Sequence, residues 1–146
     1  MFDPYALIQE YFLQNGVPVY VLYKPECAFA HVDFILNVGA HHDGAQDVGL
    51  AHFVEHMVCA NSGLDLAASK KFFGSAGGYS SASTYHSGTR YGFKLPVHHV
   101  RFDEAVAYWV KAVFKNRLDG FFEREMRVIE SEIKRKYPSV AHMNMK

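Results

Sequence analysis

The stretch His52-Phe53-Val54-Glu55-His56 decides how this sequence is interpreted. Residues three and four positions apart on a helix lie on one face, with their Cβ atoms about 5–6 Å apart. His52 and His56 can therefore bind one metal ion together, and Glu55 shares their face. Two imidazoles that bind zinc beside a glutamate that acts on water form a hydrolytic arrangement, written H-x-x-E-H.

Apolar residues surround this motif: Leu50, Phe53, Val54, Met57 and Val58. A helix that is apolar over so much of its circumference is normally buried. Imidazoles and carboxylates buried together need partners, because unpaired buried polar groups are costly. Zinc would satisfy them, and packing without a metal is the alternative.

A catalytic zinc usually has three protein ligands and one open position. The segment 121–133 is predicted to be a helix and offers two pairs of glutamates seven positions apart. Glu125 and Glu132 share one face of that helix, and Glu123 and Glu130 share another. The helical spacing alone leaves both pairs open as the source of the third ligand.

Several further stretches extend the pattern beyond the histidine motif. They are Asn15-Gly16-Val17-Pro18-Val19-Tyr20; Val38-Gly39-Ala40; Gly49 to Met57; Gly77-Gly78 with Ala82, Thr84, Thr89 and Tyr91; and Glu125 to Glu132. Together they resemble the pitrilysin/insulysin peptidases, an inverzincin family that includes mitochondrial processing peptidase. The matched stretches span nearly the whole chain.

The resemblance implies a zinc metalloendopeptidase with one Zn²⁺ per chain, held by His52, His56 and Glu132. The family's third ligand follows the second histidine by about the separation between His56 and Glu132, which is 76 positions here. Glu55 would be the general base. Glu125 would take the family's supporting role next to the ligands.

The resemblance also implies that an extended peptide substrate pairs with the strand that contains Ser81, Ala82 and Ser83. Ser81 stands where the family has asparagine, so this position keeps a hydrogen-bonding hydroxyl but lacks the amide. Family members close a second, homologous half over the peptide, and this chain stops soon after its last glutamate helix. A second copy or a companion chain is therefore expected to complete the site. The alternative function is a zinc-binding, non-catalytic subunit that acts as an assembly module.

Composition is consistent with a single domain over residues 1–146. The formal net charge is +0, which gives no electrostatic case for binding nucleic acid or an anionic membrane. No apolar run is long enough to span a bilayer, and the start lacks the features of a signal or transit peptide, so a cytoplasmic location is expected. Cys27 and Cys59 define no disulfide framework. Cys59 is interpreted as a small buried apolar residue rather than a zinc ligand.

Periodicity predicts an α+β fold, a mostly antiparallel sheet packed by helices. Asn15-Gly16 suits a type I′ hairpin turn, and residues 28–38 alternate as a strand with one buried face. The predicted strands are 9–13, 17–24, 28–38, 78–84 and 89–95, and the predicted helices are 47–60, 65–73, 99–116 and 120–136. The helix with the histidine motif is predicted to end at Asn61-Ser62-Gly63. The last helix is predicted to have Asp119 as its N-cap and to stop before Pro138.

Overall fold

Strands and helices follow one another in the order that the sequence predicts. The computed structural model describes residues 4–60, 66–97, 101–115, 117–118 and 120–136. Its strands are β1 (Ile8–Phe12), β2 (Pro18–Leu22), β3 (Phe29–Leu36), β4 (Tyr79–Thr84) and β5 (Thr89–Pro96), and its helices are α1 (Leu50–Ala60), α2 (Leu66–Ser75), α3 (Phe102–Phe114) and α4 (Phe122–Lys136). The α+β prediction is confirmed.

The central sheet is antiparallel, in the order β3-β5-β4. Its middle strand supplies the core, because Tyr91, Phe93 and Leu95 alternate along β5 and are 2%, 0% and 0% exposed. Phe73 of α2 and Trp109 of α3 pack against this row. Helices α2 and α3 therefore lie on the same face of the sheet.

Strand β3 has the alternation expected from its sequence. Val32, Phe34 and Leu36 are partly buried against the core, whereas His31 is exposed on the opposite face. The period of two places successive side chains on opposite faces of a strand. The prediction of one buried face is confirmed.

The hairpin of β1 and β2 forms, but its predicted turn type is wrong. A type I′ turn needs positive φ at both central residues, and the only described non-glycine residue with positive φ is Phe121. Gly16 alone adopts the left-handed conformation, with φ of 82°. The loop is longer than two residues: the Leu13 amide donates to the Val17 carbonyl, and the Gly16 amide donates to the Leu13 carbonyl, both at 2.9 Å.

The helix that carries the histidine motif begins at Leu50, three residues later than predicted. The Asp43 carboxylate accepts hydrogen bonds from the backbone amides of Gly49 and Ala51, at 2.8 and 2.9 Å. Gly49 has φ of 96°, a conformation that a helix cannot contain. Asp43 thus satisfies amides that the first helical turn leaves without partners.

The remaining boundaries agree with the predicted ones to within about three residues. The predictions made for Asn61-Ser62-Gly63, Asp119 and Pro138 concern residues outside the described ranges. None of the helices in the described ranges combines the length and apolar character needed to cross a membrane.

Candidate metal centre

Helices α1 and α4 bring three potential metal ligands together. His52 and His56 lie on consecutive turns of α1, with ring centroids 4.8 Å apart. Oε2 of Glu132, on α4, lies 3.7 Å from Nε2 of His52 and 3.7 Å from Nε2 of His56. Within the described ranges this is the one group of three such side chains whose ligand atoms all lie within 4.8 Å of one another.

The donor set fits zinc in chemistry and in spacing. Zinc–nitrogen and zinc–oxygen bonds of about 2.0–2.2 Å at the tetrahedral angle separate two ligand atoms by roughly 3.3–3.6 Å. The 3.7 Å separations at Glu132 lie close to that range. Two imidazole nitrogens and one carboxylate oxygen also match the ligands of catalytic zinc, which leave a fourth position open.

Glu125 lies behind His56 rather than in the ligand group. Its Oε2 is 3.2 Å from Nδ1 of His56, a hydrogen-bonding distance when Nδ1 carries the proton. In that tautomer Nε2, which lies 3.7 Å from Oε2 of Glu132, keeps its lone pair for a metal ion. Such a bond fixes the tautomer and orientation of a ligating histidine. Glu123 and Glu130 are exposed instead. The seven-spaced pair that faces the histidines is therefore Glu125 and Glu132.

Arg124 holds the other oxygen of Glu125, a contact that motif matching missed. Its Nε donates to Oε1 of Glu125 at 2.8 Å, and its Nη2 lies 2.8 Å from the same oxygen. The guanidinium also lies 4.1 Å from the centre of the Phe121 ring. A residue adjacent to a motif glutamate gives no periodic signal, so only the arginine's chemistry could have drawn attention to it.

Glu55 is positioned by the neighbouring strand. It is 8% exposed, and the Thr84 hydroxyl donates a 2.6 Å hydrogen bond to its Oε2. Thr84 is the last residue of β4. The sequence identified Thr84 as part of a motif but did not indicate that it contacts Glu55.

An aromatic contact joins the two helices next to the cluster. The rings of Phe53 on α1 and Phe122 on α4 lie 4.8 Å apart at an angle of 74°. Edge-to-face pairs at such distances stabilise packing by about 0.5–1.5 kcal/mol beyond the area that they bury. This contact helps to set the position of α4, and therefore of Glu132, relative to the histidines.

Strand β4, where the sequence places substrate, is an edge strand. Among the described strands it pairs only with β5. Ala82 packs against the core, whereas Ser81 accepts a 3.0 Å hydrogen bond from Nη2 of Arg90. Ser83 donates its hydroxyl to the carbonyl of Ala82 at 2.7 Å. The open edge offers backbone groups to an added strand, while the Ser81 side chain is already engaged.

Cys59 is partly buried and lies outside the group formed by His52, His56 and Glu132. Burial, together with the negative charges of Glu55 and Glu125, raises the pKa of its thiol to about 12. Because the thiolate is the form that binds metal, this environment opposes ligation by Cys59.

The antiparallel sheet is packed by helices, two of which bring H-x-x-E-H and a distant glutamate to one point, an arrangement typical of metallopeptidases. The family model of Insulinase (Peptidase family M16) matches residues 19–143. The chain belongs to this peptidase family, and the resemblance stated from the motifs is confirmed.

Solved structures share the fold. Pitrilysin is 24% identical in sequence to this chain, with a TM-score of 0.77. The match covers 88% of this chain and 14% of the pitrilysin chain. A protease from Helicobacter pylori is 24% identical, with a TM-score of 0.74. The match covers 87% of this chain and 30% of the protease chain. An inactive peptidase M16 domain from Pseudomonas fluorescens is 16% identical, with a TM-score of 0.74. The match covers 90% of this chain and 31% of that domain's chain. The chain thus spans less than a third of the length of these structures. It has no significant match among curated proteins.

Proposed function

We propose that this chain is the zinc-bearing part of an endopeptidase that hydrolyses peptides or unfolded polypeptide segments. The convergence of His52, His56 and Glu132 supports the proposal most directly, since their ligand atoms lie within 4.8 Å of one another. Family membership supports peptidase activity in general. A bound zinc ion would supply Lewis acidity, lowering the pKa of a water molecule and polarising a peptide carbonyl.

The residues around the cluster have distinct roles in this proposal. Glu55 takes the proton from the attacking water and passes it to the leaving amine. Thr84 holds one oxygen of Glu55, which leaves the other oxygen for proton transfer. Glu125 orients His56 through Nδ1. The open edge of β4, including Ser81, Ala82 and Ser83, pairs with an extended peptide by β-augmentation.

Metal content and peptide cleavage, measured on the same samples, test the proposal. The wild-type protein is expected to bind about one zinc per chain, as in other three-ligand sites. His56→Ala and Glu132→Gln should lose zinc, whereas Glu130→Gln, an exposed glutamate on the same helix, should retain it. Glu55→Gln should retain zinc and lose cleavage of a fluorogenic peptide. Absence of zinc from the wild-type protein would overturn the proposal.

A second chain is part of this proposal. The chain spans only 14% of pitrilysin and 30% of the Helicobacter pylori protease, so most of the length of those proteins has no counterpart in it. We propose that a second copy or a companion chain covers the peptide. Light scattering coupled to size-exclusion chromatography measures the oligomeric state and tests this proposal. A strictly monomeric protein that cleaves peptides would contradict it.

The second candidate is a zinc-binding subunit without catalytic activity. The structural similarity to an inactive domain of peptidase family M16 is the observation that favours it. Against it stands the presence of Glu55 beside both histidines, since a non-catalytic subunit has no need of a general base. Zinc binding without Glu55-dependent cleavage, with or without a second chain, would favour this candidate.

A further inference from the structure

A cationic cleft lies on helix α4 directly beside the metal centre. The cleft is a shallow groove that is open to solvent, and all of its lining residues belong to α4. It is lined by Arg124, Arg127, Val128, Ser131, Glu132 and Arg135. Three arginines therefore share the cleft with one carboxylate, and that carboxylate belongs to the proposed metal ligand.

Two of these arginines form no ion pair within the described part of the chain. Arg124 is held by Glu125, but Arg127 and Arg135 form no ion pair or side-chain hydrogen bond with any described residue. Both side chains are exposed. Their guanidinium groups thus remain available to an incoming anion.

The spacing of the cleft matches an extended peptide. Arg127, Ser131 and Arg135 succeed one another at four-residue intervals and lie along one side of α4. At 1.5 Å per residue, the two outer arginines are about 12 Å apart along the helix axis. Side chains four positions apart on an extended strand point the same way and are about 13 Å apart.

We propose that this cleft, defined by Arg127, Ser131 and Arg135 beside Glu132, binds acidic side chains of the peptide substrate next to the cleavage site. This inference rests on the proposed function and adds a substrate class to it. Arginine suits the role because its planar guanidinium binds carboxylates through two parallel hydrogen bonds. If Glu132 holds zinc, its own negative charge is neutralised and does not compete for the arginines.

Binding of a matched pair of labelled peptides tests the proposal. One peptide carries two glutamates four positions apart, and the other carries glutamines at the same places. Fluorescence anisotropy is measured with the full chain carrying Glu55→Gln, which prevents cleavage, both with zinc and with chelator. Arg127→Gln/Arg135→Gln is the test variant. Lys70→Gln/Lys71→Gln, two exposed lysines on α2, removes the same charge elsewhere, and circular dichroism checks that each variant folds.

The glutamate peptide is expected to bind about tenfold more tightly than the glutamine peptide, as two charge-assisted contacts allow. This preference should disappear in Arg127→Gln/Arg135→Gln, persist in Lys70→Gln/Lys71→Gln and weaken as ionic strength rises. Equal affinity for the two peptides, no binding of either, or a preference that survives the arginine replacements would overturn the inference. Zinc content and Glu55-dependent cleavage are measured separately, so a zinc-loaded, active protein without the preference would refute the cleft alone.

Discussion

The hydroxyl of Thr84 donates a 2.6 Å hydrogen bond to Oε2 of Glu55 and so joins the edge strand β4 to helix α1, which carries the H-x-x-E-H motif. Glu55 is 8% exposed, and a carboxylate with so little access to water depends on partners within the protein. The proposed general base is therefore held by the same strand that is proposed to pair with substrate. In the proposed mechanism, one side chain would couple binding at β4 to proton transfer at Glu55.

Thr84→Val should destabilise the protein by about 1–3 kcal/mol, because the substitution keeps the shape of the side chain but leaves a buried carboxylate oxygen without its donor. Urea unfolding of the metal-free protein measures this. Thr84→Ser, which keeps the hydroxyl, should recover most of the loss. Zinc content should be the same in both variants, since neither removes a ligand. An unfolding free energy unchanged in Thr84→Val would show that the contact contributes nothing.

Glu125→Gln should weaken zinc binding by about 10–100-fold without removing a ligand, because outer partners of ligating histidines contribute on this scale. The 3.2 Å contact to Nδ1 of His56 is the physical reason, since the amide is a weaker acceptor than the carboxylate. Competition with a chromogenic chelator measures the affinity. Arg124→Gln should have a smaller effect in the same direction, because it removes the donors at Oε1.

Glu123→Gln is the control for that series. Glu123 is exposed on the same helix, so its replacement should leave zinc affinity unchanged. Equal effects of Glu123→Gln and Glu125→Gln would mean that charge near the site, rather than the contact with His56, sets the affinity.

The sequence predicted those parts of the fold and site that depend on periodicity and motif spacing. Alternation along β3 and the helical positions of His52 and His56 follow from local geometry, and they appear in the structure as expected. The choice between the two glutamate pairs could not come from spacing within α4. It depends on which face of α4 packs against α1, a contact between distant segments that includes Phe53 and Phe122.

Other features depend on single contacts that leave no periodic trace. Asp43 determines where α1 begins by accepting from two amides, and Gly16 alone, without Asn15, provides the left-handed residue of the first hairpin. Thr84 belongs to a sequence motif and Arg124 is adjacent to one, but their hydrogen bonds to Glu55 and Glu125 are visible only once strands and helices are assembled. Sequence patterns therefore predicted the ligand-bearing elements better than the residues that orient them.

The two cysteines should differ sharply in reactivity. Cys27 is exposed, whereas burial and the charges of Glu55 and Glu125 raise the pKa of Cys59 to about 12. Because the thiolate is the nucleophile, a thiol reagent at mildly alkaline pH should label Cys27 in the folded protein and Cys59 only after unfolding. Cys27→Ser should abolish labelling of the folded protein, and rapid labelling of that variant would contradict the raised pKa of Cys59.

The raised pKa of Cys59 also predicts how stability changes at high pH. A thiol whose pKa is higher in the folded than in the unfolded state stays neutral in the fold while the unfolded chain ionises. Its contribution to stability is therefore complete below about pH 9, its ordinary value, and is lost as pH rises from about 9 to about 12. Urea unfolding of the wild-type protein and of Cys59→Ala across this range measures the difference, which should shrink with increasing pH.

Zinc should stabilise the fold because its proposed ligands come from two helices that are far apart in sequence. His52 and His56 lie on α1 and Glu132 on α4, so the ion would cross-link segments that the unfolded chain separates. Free zinc at about 100 times its dissociation constant adds about 2.7 kcal/mol to the unfolding free energy, provided that the unfolded chain does not bind it. Thermal unfolding with zinc and with chelator measures this difference. Glu132→Gln should nearly abolish this stabilisation by zinc. Phe122→Ala removes an interhelical contact but no proposed ligand. It should therefore lower the melting temperature in chelator and still respond to zinc. A zinc response in Glu132→Gln equal to that of the wild type would place the stabilising ion elsewhere.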